Sequence, residues 1–309
     1  MIPPFIARIK NLRKILFFAL FLVMVSLVTI SVVRISIERG QVMYKQDSIQ
    51  KSNKDRENNV ILMPGKDTLI YVNNRKVLIK VSGNNKREGT FLLLSGWNFP
   101  PDDWYTKTKL CEKASKEGFF LVLPEMGKSI YQEKNFPETR ADWNQYPTRK
   151  WVIDSLIPFL QNKFGLFKEK ERNFIVGLST GARGVALIAL DLPKLFKGVA
   201  ALSGDYNQLL LQHDNLITGY YGPYHKFKDR WKKIDNPLSR IKEFNLPIYL
   251  GHGTSDKVVP PEQTKIFYDA LTKSHPQLKV KLHMPDAGHD YNYWSSEVDN
   301  ILGFFNELH

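Results

Sequence analysis

Polar and apolar positions change rhythm twice along this chain. Residues 15–33 form one uncharged apolar block bounded by Lys14 and Arg34. From Arg34 to about Lys66 the chain turns polar and poor in aromatics, as in Q-D-S-I-Q-K-S-N-K-D-R-E-N-N. Beyond it, short apolar runs alternate with amphipathic stretches to the end. The runs at 68–72, 76–81, 90–94, 119–123, 173–177, 199–202, 248–250 and 279–283 have strand length, and the first two flank a turn at Asn73-Asn74-Arg75. Helical spacing predicts helices over 103–117, 148–164 (despite Pro158), 182–192, 261–274 and 294–308. Short buried-type strands alternating with helices predict an α/β fold, a mostly parallel sheet covered on both faces. In such sheets ligands bind beyond the carboxyl ends of the strands.

The opening segment divides the chain into a basic tail at 1–14, an apolar span at 15–33, a polar tether at 34–66 and a folded domain at 67–309. As a helix, the 19 uncharged residues would extend about 28 Å, close to the thickness of bilayer hydrocarbon. A cleaved signal peptide has a shorter apolar core and a small-residue exit, whereas here the exit reads S-V-V-R-I-S-I-E-R. An uncleaved signal anchor is the favoured reading. Arg8, Lys10, Arg13 and Lys14 precede the span with no acid among them, while the cations after it are spread out and mixed with Glu38 and Asp47. That asymmetry predicts a single-pass membrane protein with a cytoplasmic amino terminus and the folded domain outside.

Composition, 43% hydrophobic and 24% charged, is that of a globular protein. The net charge of +13 raises the question of a nucleic-acid partner. Residues 1–66 alone hold 11 Lys/Arg against 4 Asp/Glu, and the remainder has no dense basic stripe interleaved with aromatics, so no nucleic acid is expected. The single cysteine, Cys111, excludes an intrachain disulfide and reads as a small buried side chain. No H-E-x-x-H motif or clustered Cys/His spacing points to a catalytic metal, and no cofactor is expected. Gly127-Lys128-Ser129 resembles the end of a phosphate-binding loop, but that pattern needs glycine where Val122 stands.

Chemistry enters at F-I-V-G-L-S-T-G-A-R-G. Gly177-Leu178-Ser179-Thr180-Gly181 fits G-x-S-x-G, placed where a strand ends and a helix begins. There the pentapeptide makes a tight turn that lifts a serine hydroxyl off the sheet. A serine that merely caps the following helix would read the same way. A nucleophilic serine needs a base, and the base an orienting acid. Behind an elbow of this kind they follow in the order Ser, Asp or Glu, His. After the strand P-I-Y-L, the loop G-H-G-T-S-D-K-V-V-P supplies Asp256; after K-V-K-L-H, the loop M-P-D-A-G-H-D-Y supplies His289. Residue type, order and position after successive strands are met together, which selects Ser179, Asp256 and His289 as catalytic. Asp205, in A-L-S-G-D-Y, is the rival acid; Asp286 and Asp290 lie too close to His289 along the chain. His252 reads as a loop-packing residue, with a place in the site wall as the alternative because it lies near Asp256. The oxyanion hole falls to the amides of Thr180 and Trp97, the latter in L-L-L-S-G-W-N-F, where Gly96 permits close backbone approach.

The stretches F-I-V-G-L-S-T-G-A-R-G-V-A-L-I-A-L and L-F-K-G-V-A-A-L-S-G-D-Y resemble the esterase D and antigen 85-type esterases of the α/β-hydrolase fold. So do W-V-I-D-S-L-I-P-F-L-Q-N-K-F-G and the segment from Y-Y-G-P-Y to W-K-K-I-D-N-P-L, so the likeness covers residues 90–308. It implies the α/β-hydrolase fold, the triad Ser179, Asp256 and His289, and oxyanion donors at Trp97 and Thr180, with Thr180 standing where methionine is frequent. It also implies hydrolysis of a carboxylic ester through an acyl-enzyme. An acyltransferase on the same scaffold and a non-catalytic binding module are the alternatives. The insertion at 206–246 brings Tyr206, Tyr220, Tyr221, Tyr224 and Trp231, and other edge loops bring Trp97, Phe99, Trp143, Tyr291 and Trp294. These suit a small-molecule, glycan or lipid ester, or form the insertion's own small core.

Overall fold

All eight runs predicted to be strands are strands, and they join one sheet. β1 (Asp67–Val72) and β2 (Arg75–Lys80) form an antiparallel hairpin with Val72 opposite Arg75. Its turn is therefore Asn73-Asn74, both left-handed at φ 49° and 63°, a conformation that suits the twist of a two-residue hairpin. β3 (Gly89–Leu94), β4 (Phe119–Pro124), β5 (Arg172–Leu178), β6 (Gly198–Leu202), β7 (Ile248–Gly251) and β8 (Val280–His283) pair in parallel, and β2 joins β4 antiparallel. The sheet order is β1-β2-β4-β3-β5-β6-β7-β8. The chain runs outward from β3 to β4, then returns to the far side of β3 as β5. The loops leaving β3 and β5 therefore diverge, opening a crevice at the carboxyl edge.

The computed structural model describes residues 60–84, 87–143, 146–233 and 235–308, a unit that begins at Val60. The basic tail at 1–14, the apolar span at 15–33 and the tether as far as residue 59 lie outside the described residues. Among the described residues no helix is long and apolar enough to cross a membrane. Within the last part of the predicted tether, Val60 and Leu62 pack against the core and the Gly65 amide donates to Ser82 O at 3.2 Å.

Side-chain alternation along the strands builds two cores. Leu92, Leu94, Val122, Ile175, Val199 and Ala201 enter one; Phe91, Leu93, Leu121, Phe174, Val176, Ala200 and Leu202 enter the other. Three helices cover the first face: α3 (the consecutive segments Thr148–Trp151, Val152–Leu156 and Ile157–Phe164), α4 (Thr180–Asp191) and α7 (Glu262–Ser274). The second face is covered by α1 (Asp103–Thr106), α2 (Leu110–Lys116), α8 (Tyr291–Ser296) and α9 (Val298–Asn306). The insertion contributes α5 (Asn215–Tyr221) and α6 (Lys228–Lys232). Cys111 is buried on α2, and that burial pushes its thiol up to about 12, as expected of a packing residue.

Three helices depart from the predicted pattern, each for a local reason. The helix predicted over 103–117 is two, α1 and α2. Thr108 separates them, its hydroxyl donating to Trp104 O at 2.6 Å and accepting from the Leu110 amide at 3.2 Å. Pro158 has no N–H, and its ring crowds the carbonyl four residues earlier. The turn just before it, Val152–Leu156, widens to a π-helix, and α3 continues. The closing helix begins at Tyr291 rather than 294 and breaks at Glu297, which is buried against Tyr249 and His283.

Candidate active site

The turn at Ser179 owes its shape to the two glycines. Ser179 sits at φ 55°, ψ −126°, a strained conformation for a residue with a Cβ. A Cβ on Gly177 would lie 2.3 Å from Gly181 O, and one on Gly181 would lie 2.3 Å from Leu94 O. With both positions bare, α4 starts directly against β3 and β5. The strain is held by the Ser179 amide donating to Leu202 O at 2.8 Å and the Ala182 amide donating to Ser179 O at 3.0 Å. The side chain of Ser179 does not cap α4. Capping needs extended backbone at that position, and here the left-handed turn aims the hydroxyl elsewhere.

It meets His289. Nε2 of His289 lies 3.0 Å from Ser179 Oγ, and Nδ1 lies 2.6 Å from Asp256 Oδ2. Asp256 leaves the carboxyl end of β7, and His289 lies between β8 and α8. The two loops are fastened together by the amide of Thr254 on Pro285 O at 2.8 Å and that of Ser255 on Ala287 O at 3.0 Å. Trp294 packs edge-on to the His289 ring with centroids 5.0 Å apart, and its indole N–H donates to Ser203 Oγ at 3.0 Å. Burial alone would raise the Asp256 carboxyl. Hydrogen bonds from His252, His289 and the Val259 amide overcome it and hold the group well below the usual carboxylate range. Because the folded value is depressed, the stability these bonds contribute is complete above the ordinary carboxylate range. It is lost only as falling pH drives a proton onto Asp256.

On the other side of Ser179, the Gly96 backbone comes so near that a Cβ there would sit 3.1 Å from Ser179 Cβ. This turn is anchored by Tyr131, whose hydroxyl donates to Ser95 O at 2.8 Å, and by the Asn98 amide on Gly127 O at 2.8 Å. Among the described residues the amides of Trp97 and Thr180 donate to no protein acceptor. The aromatic residues of the insertion are mostly its own core: Tyr220, Tyr221 and Trp231 are buried with Ile217, Ile130 and Trp143, while Tyr206 stacks on Phe267. Trp97 joins that core to the turn beside Ser179. The Trp97 ring packs edge-on to Trp143 and Tyr220, at centroid distances of 4.9 and 5.7 Å. Phe99, Tyr291 and Trp294 cluster together, with Trp294 beside His289.

The rival acid faces away. Asp205 accepts from Arg183 Nη1 at 2.6 Å, and Arg183 also reaches Gln208, the Asp235 carbonyl and Tyr221. Asp286 accepts from the Ser255 hydroxyl, and Asp290 caps α8 by accepting from the Tyr293 amide at 3.0 Å. Sequence reasoning missed Arg183, a cation in a helix otherwise apolar up to Asp191, because its partners come from an insertion with no clear periodicity. His252 proves closer to the chemistry than its loop position implies, with Nε2 3.1 Å from Asp256 Oδ2.

Several known proteins resemble this chain in sequence or in fold. An acetyl esterase of Caldicellulosiruptor saccharolyticus is 22% identical over 234 residues, 71% of this chain and 84% of its own. Fluorophosphonate-binding serine hydrolase F of Staphylococcus aureus superposes with a TM-score of 0.64 at 15% identity, over 79% of this chain and 99% of its own. An S-formylglutathione hydrolase from the same organism superposes with a TM-score of 0.60 at 14% identity, over 75% and 92%. These likenesses establish the α/β-hydrolase fold. The family model for putative esterases matches residues 73–305, most of the described domain, and the chain belongs to that esterase family.

Proposed function

We propose that this chain is a membrane-anchored serine esterase that cleaves a carboxylic ester through an acyl-enzyme, with Ser179 as nucleophile, His289 as general base and acid, and Asp256 as the orienting carboxylate. The observation that carries the reading is the single imidazole bonded to both partners, 3.0 Å from Ser179 Oγ and 2.6 Å from Asp256 Oδ2. His289 Nε2 takes the hydroxyl proton as Oγ attacks the ester carbonyl, and Asp256 steadies the resulting imidazolium. The amides of Thr180 and Trp97 hold the oxyanion. The imidazolium returns its proton to the departing alcohol. Water, activated by the same imidazole, then releases the acid and restores Ser179. The general-base and oxyanion contributions are each worth on the order of 10²–10⁴ in rate.

A fluorophosphonate probe tests the assignment directly. It is expected to attach to the purified chain at one position, with the modified peptide containing Ser179. A chain that takes no label, or takes it elsewhere, would remove Ser179 from the mechanism. The anchoring part of the proposal rests on the uncharged run at 15–33 and the unopposed cations before it. Protease added to intact cells or spheroplasts is expected to reach the domain; protection that ends only on lysis would reverse the orientation.

A further inference from the structure

His252 follows β7 directly, is fully buried, and is not needed to complete a Ser-His-Asp row. Its ring contacts explain its place better than packing does. Nε2 lies 3.0 Å from Val259 O and 3.1 Å from Asp256 Oδ2, two oxygens that can only accept from it. The hydrogen therefore sits on Nε2. Nδ1, 2.6 Å from the hydroxyl of Thr264 on α7, is left as the acceptor of that hydroxyl, and Thr264 is itself fully buried. The two acceptors at Nε2 thus select the tautomer, and the Thr264 hydroxyl satisfies the nitrogen that remains.

The carboxylate it touches is tied at every corner. Asp256 Oδ1 accepts from the amides of Val258 and Val259 at 2.8 and 2.9 Å. Oδ2 accepts from His289 on one side and His252 on the other, at 2.6 and 3.1 Å. Rotation of the carboxylate about its own axis would break bonds at both oxygens at once.

We propose that His252 is a positioning residue for the acid–base pair: it donates to the second lone pair of Asp256 Oδ2, holds that oxygen on His289, and limits how much of the carboxylate's charge the His289 ring receives. The inference rests on the reading of Ser179, His289 and Asp256 as the catalytic row. Without His252, the second lone pair of Oδ2 is bare in a place buried from solvent, and the carboxylate leans on His289 alone. The imidazolium is then over-stabilised. It forms at higher pH and returns its proton to the leaving alcohol more slowly. Other charged and titratable groups nearby are already committed or remain uncharged. Asp205 is on Arg183, Asp286 on Ser255, Asp290 on the Tyr293 amide, and Glu297 on Tyr249 and His283. Tyr293, whose phenol burial raises far above its ordinary value, stays neutral.

The test compares His252→Phe, His252→Gln and Thr264→Val in the full chain, with active sites counted by fluorophosphonate so that misfolded protein drops out. His252→Phe is expected to lower kcat about 10-fold or more with KM little changed, and to move the acid limb of the kcat/KM profile up by about 0.5–1 pH unit. His252→Gln, whose amide can both donate to Asp256 and accept from Thr264, should recover most of both effects. Thr264→Val should move them in the same direction by less. A His252→Phe enzyme with unchanged kcat and limb, or a limb displaced downward, overturns the proposal and leaves His252 a packing residue. If that variant does not fold, Thr264→Val decides, and a wild-type profile there overturns it equally. NMR titration of the His289 ring in resting protein separates this question from the esterase reading. Its midpoint should rise in His252→Phe and return in His252→Gln even if no ester tried is turned over, and an unmoved midpoint counts against the proposal.

Discussion

Replacing Ser179 by alanine is expected to lower kcat about 10³-fold or more on a p-nitrophenyl ester while the protein stays folded. Alanine carries the same Cβ into the same left-handed turn, so the elbow is no more strained than before. Only the hydroxyl and its bond to His289, 3.0 Å long, are removed. The loss falls on the transition state, because the oxygen that attacks is gone and the imidazole has no proton to move. KM should change little, since the walls formed by Trp97, Phe99 and Tyr291 are untouched. Residual hydrolysis above water would come from the Thr180 and Trp97 amides. Steady-state rates on matched, folded samples decide the matter. Equal rates in the two proteins would mean that the measured activity belongs to another group.

A stability effect of comparable weight is expected at Arg183. Its guanidinium is fully buried and engages Asp205, Gln208, the Asp235 carbonyl and Tyr221. Asp235 in turn pairs with Arg149, which lies 3.3 Å from Asp191, and Asp191 pairs with Arg240. The whole assembly ties the insertion to α3 and α4 in a place where no water substitutes for a lost partner. Arg183→Met should therefore cost about 3–5 kcal/mol, since it strands Asp205 as an uncompensated charge and leaves Gln208 and the Asp235 carbonyl without their donor. The urea midpoint should fall with the slope unchanged. Adding Asp205→Leu to that variant should restore part of the loss, because the pair is then removed as a unit. Asp205→Asn also separates two roles for that carboxylate. A structural partner of Arg183 lowers stability and leaves kcat per active site nearly intact, whereas an orienting acid would lower kcat by orders of magnitude.

The sheet was legible because its strands are short and the central ones almost wholly buried, with each apolar run ended by turn residues. Ser179, Asp256 and His289 were legible for a related reason: parallel strands deliver their following loops to one edge, so order along the chain becomes position in space. What escaped was set by single side chains acting against the local pattern. The hydroxyl of Thr108 stops a helix that periodicity would continue, and the buried Glu297 interrupts another. His252 lies only four residues before Asp256, and its spacing in the loop carries no sign of the Val259 carbonyl and Thr264 hydroxyl that hold its ring. The aromatic residues of the insertion were equally ambiguous, because a ring that lines a cleft and a ring that fills a small core look alike in one dimension.

Strand order has a consequence for how the protein is made. Ser179 lies at the centre of the sheet, and His289, 110 residues later, comes from beyond the last edge strand. A chain still emerging from the ribosome can assemble β3 through β7, elbow included, and yet hold a hydroxyl with no base beside it. Hydroxyl and imidazole come together only when β8 joins β7 and brings in the loop that carries His289. On the reading proposed above, a copy truncated before β8 would carry the elbow without its general base.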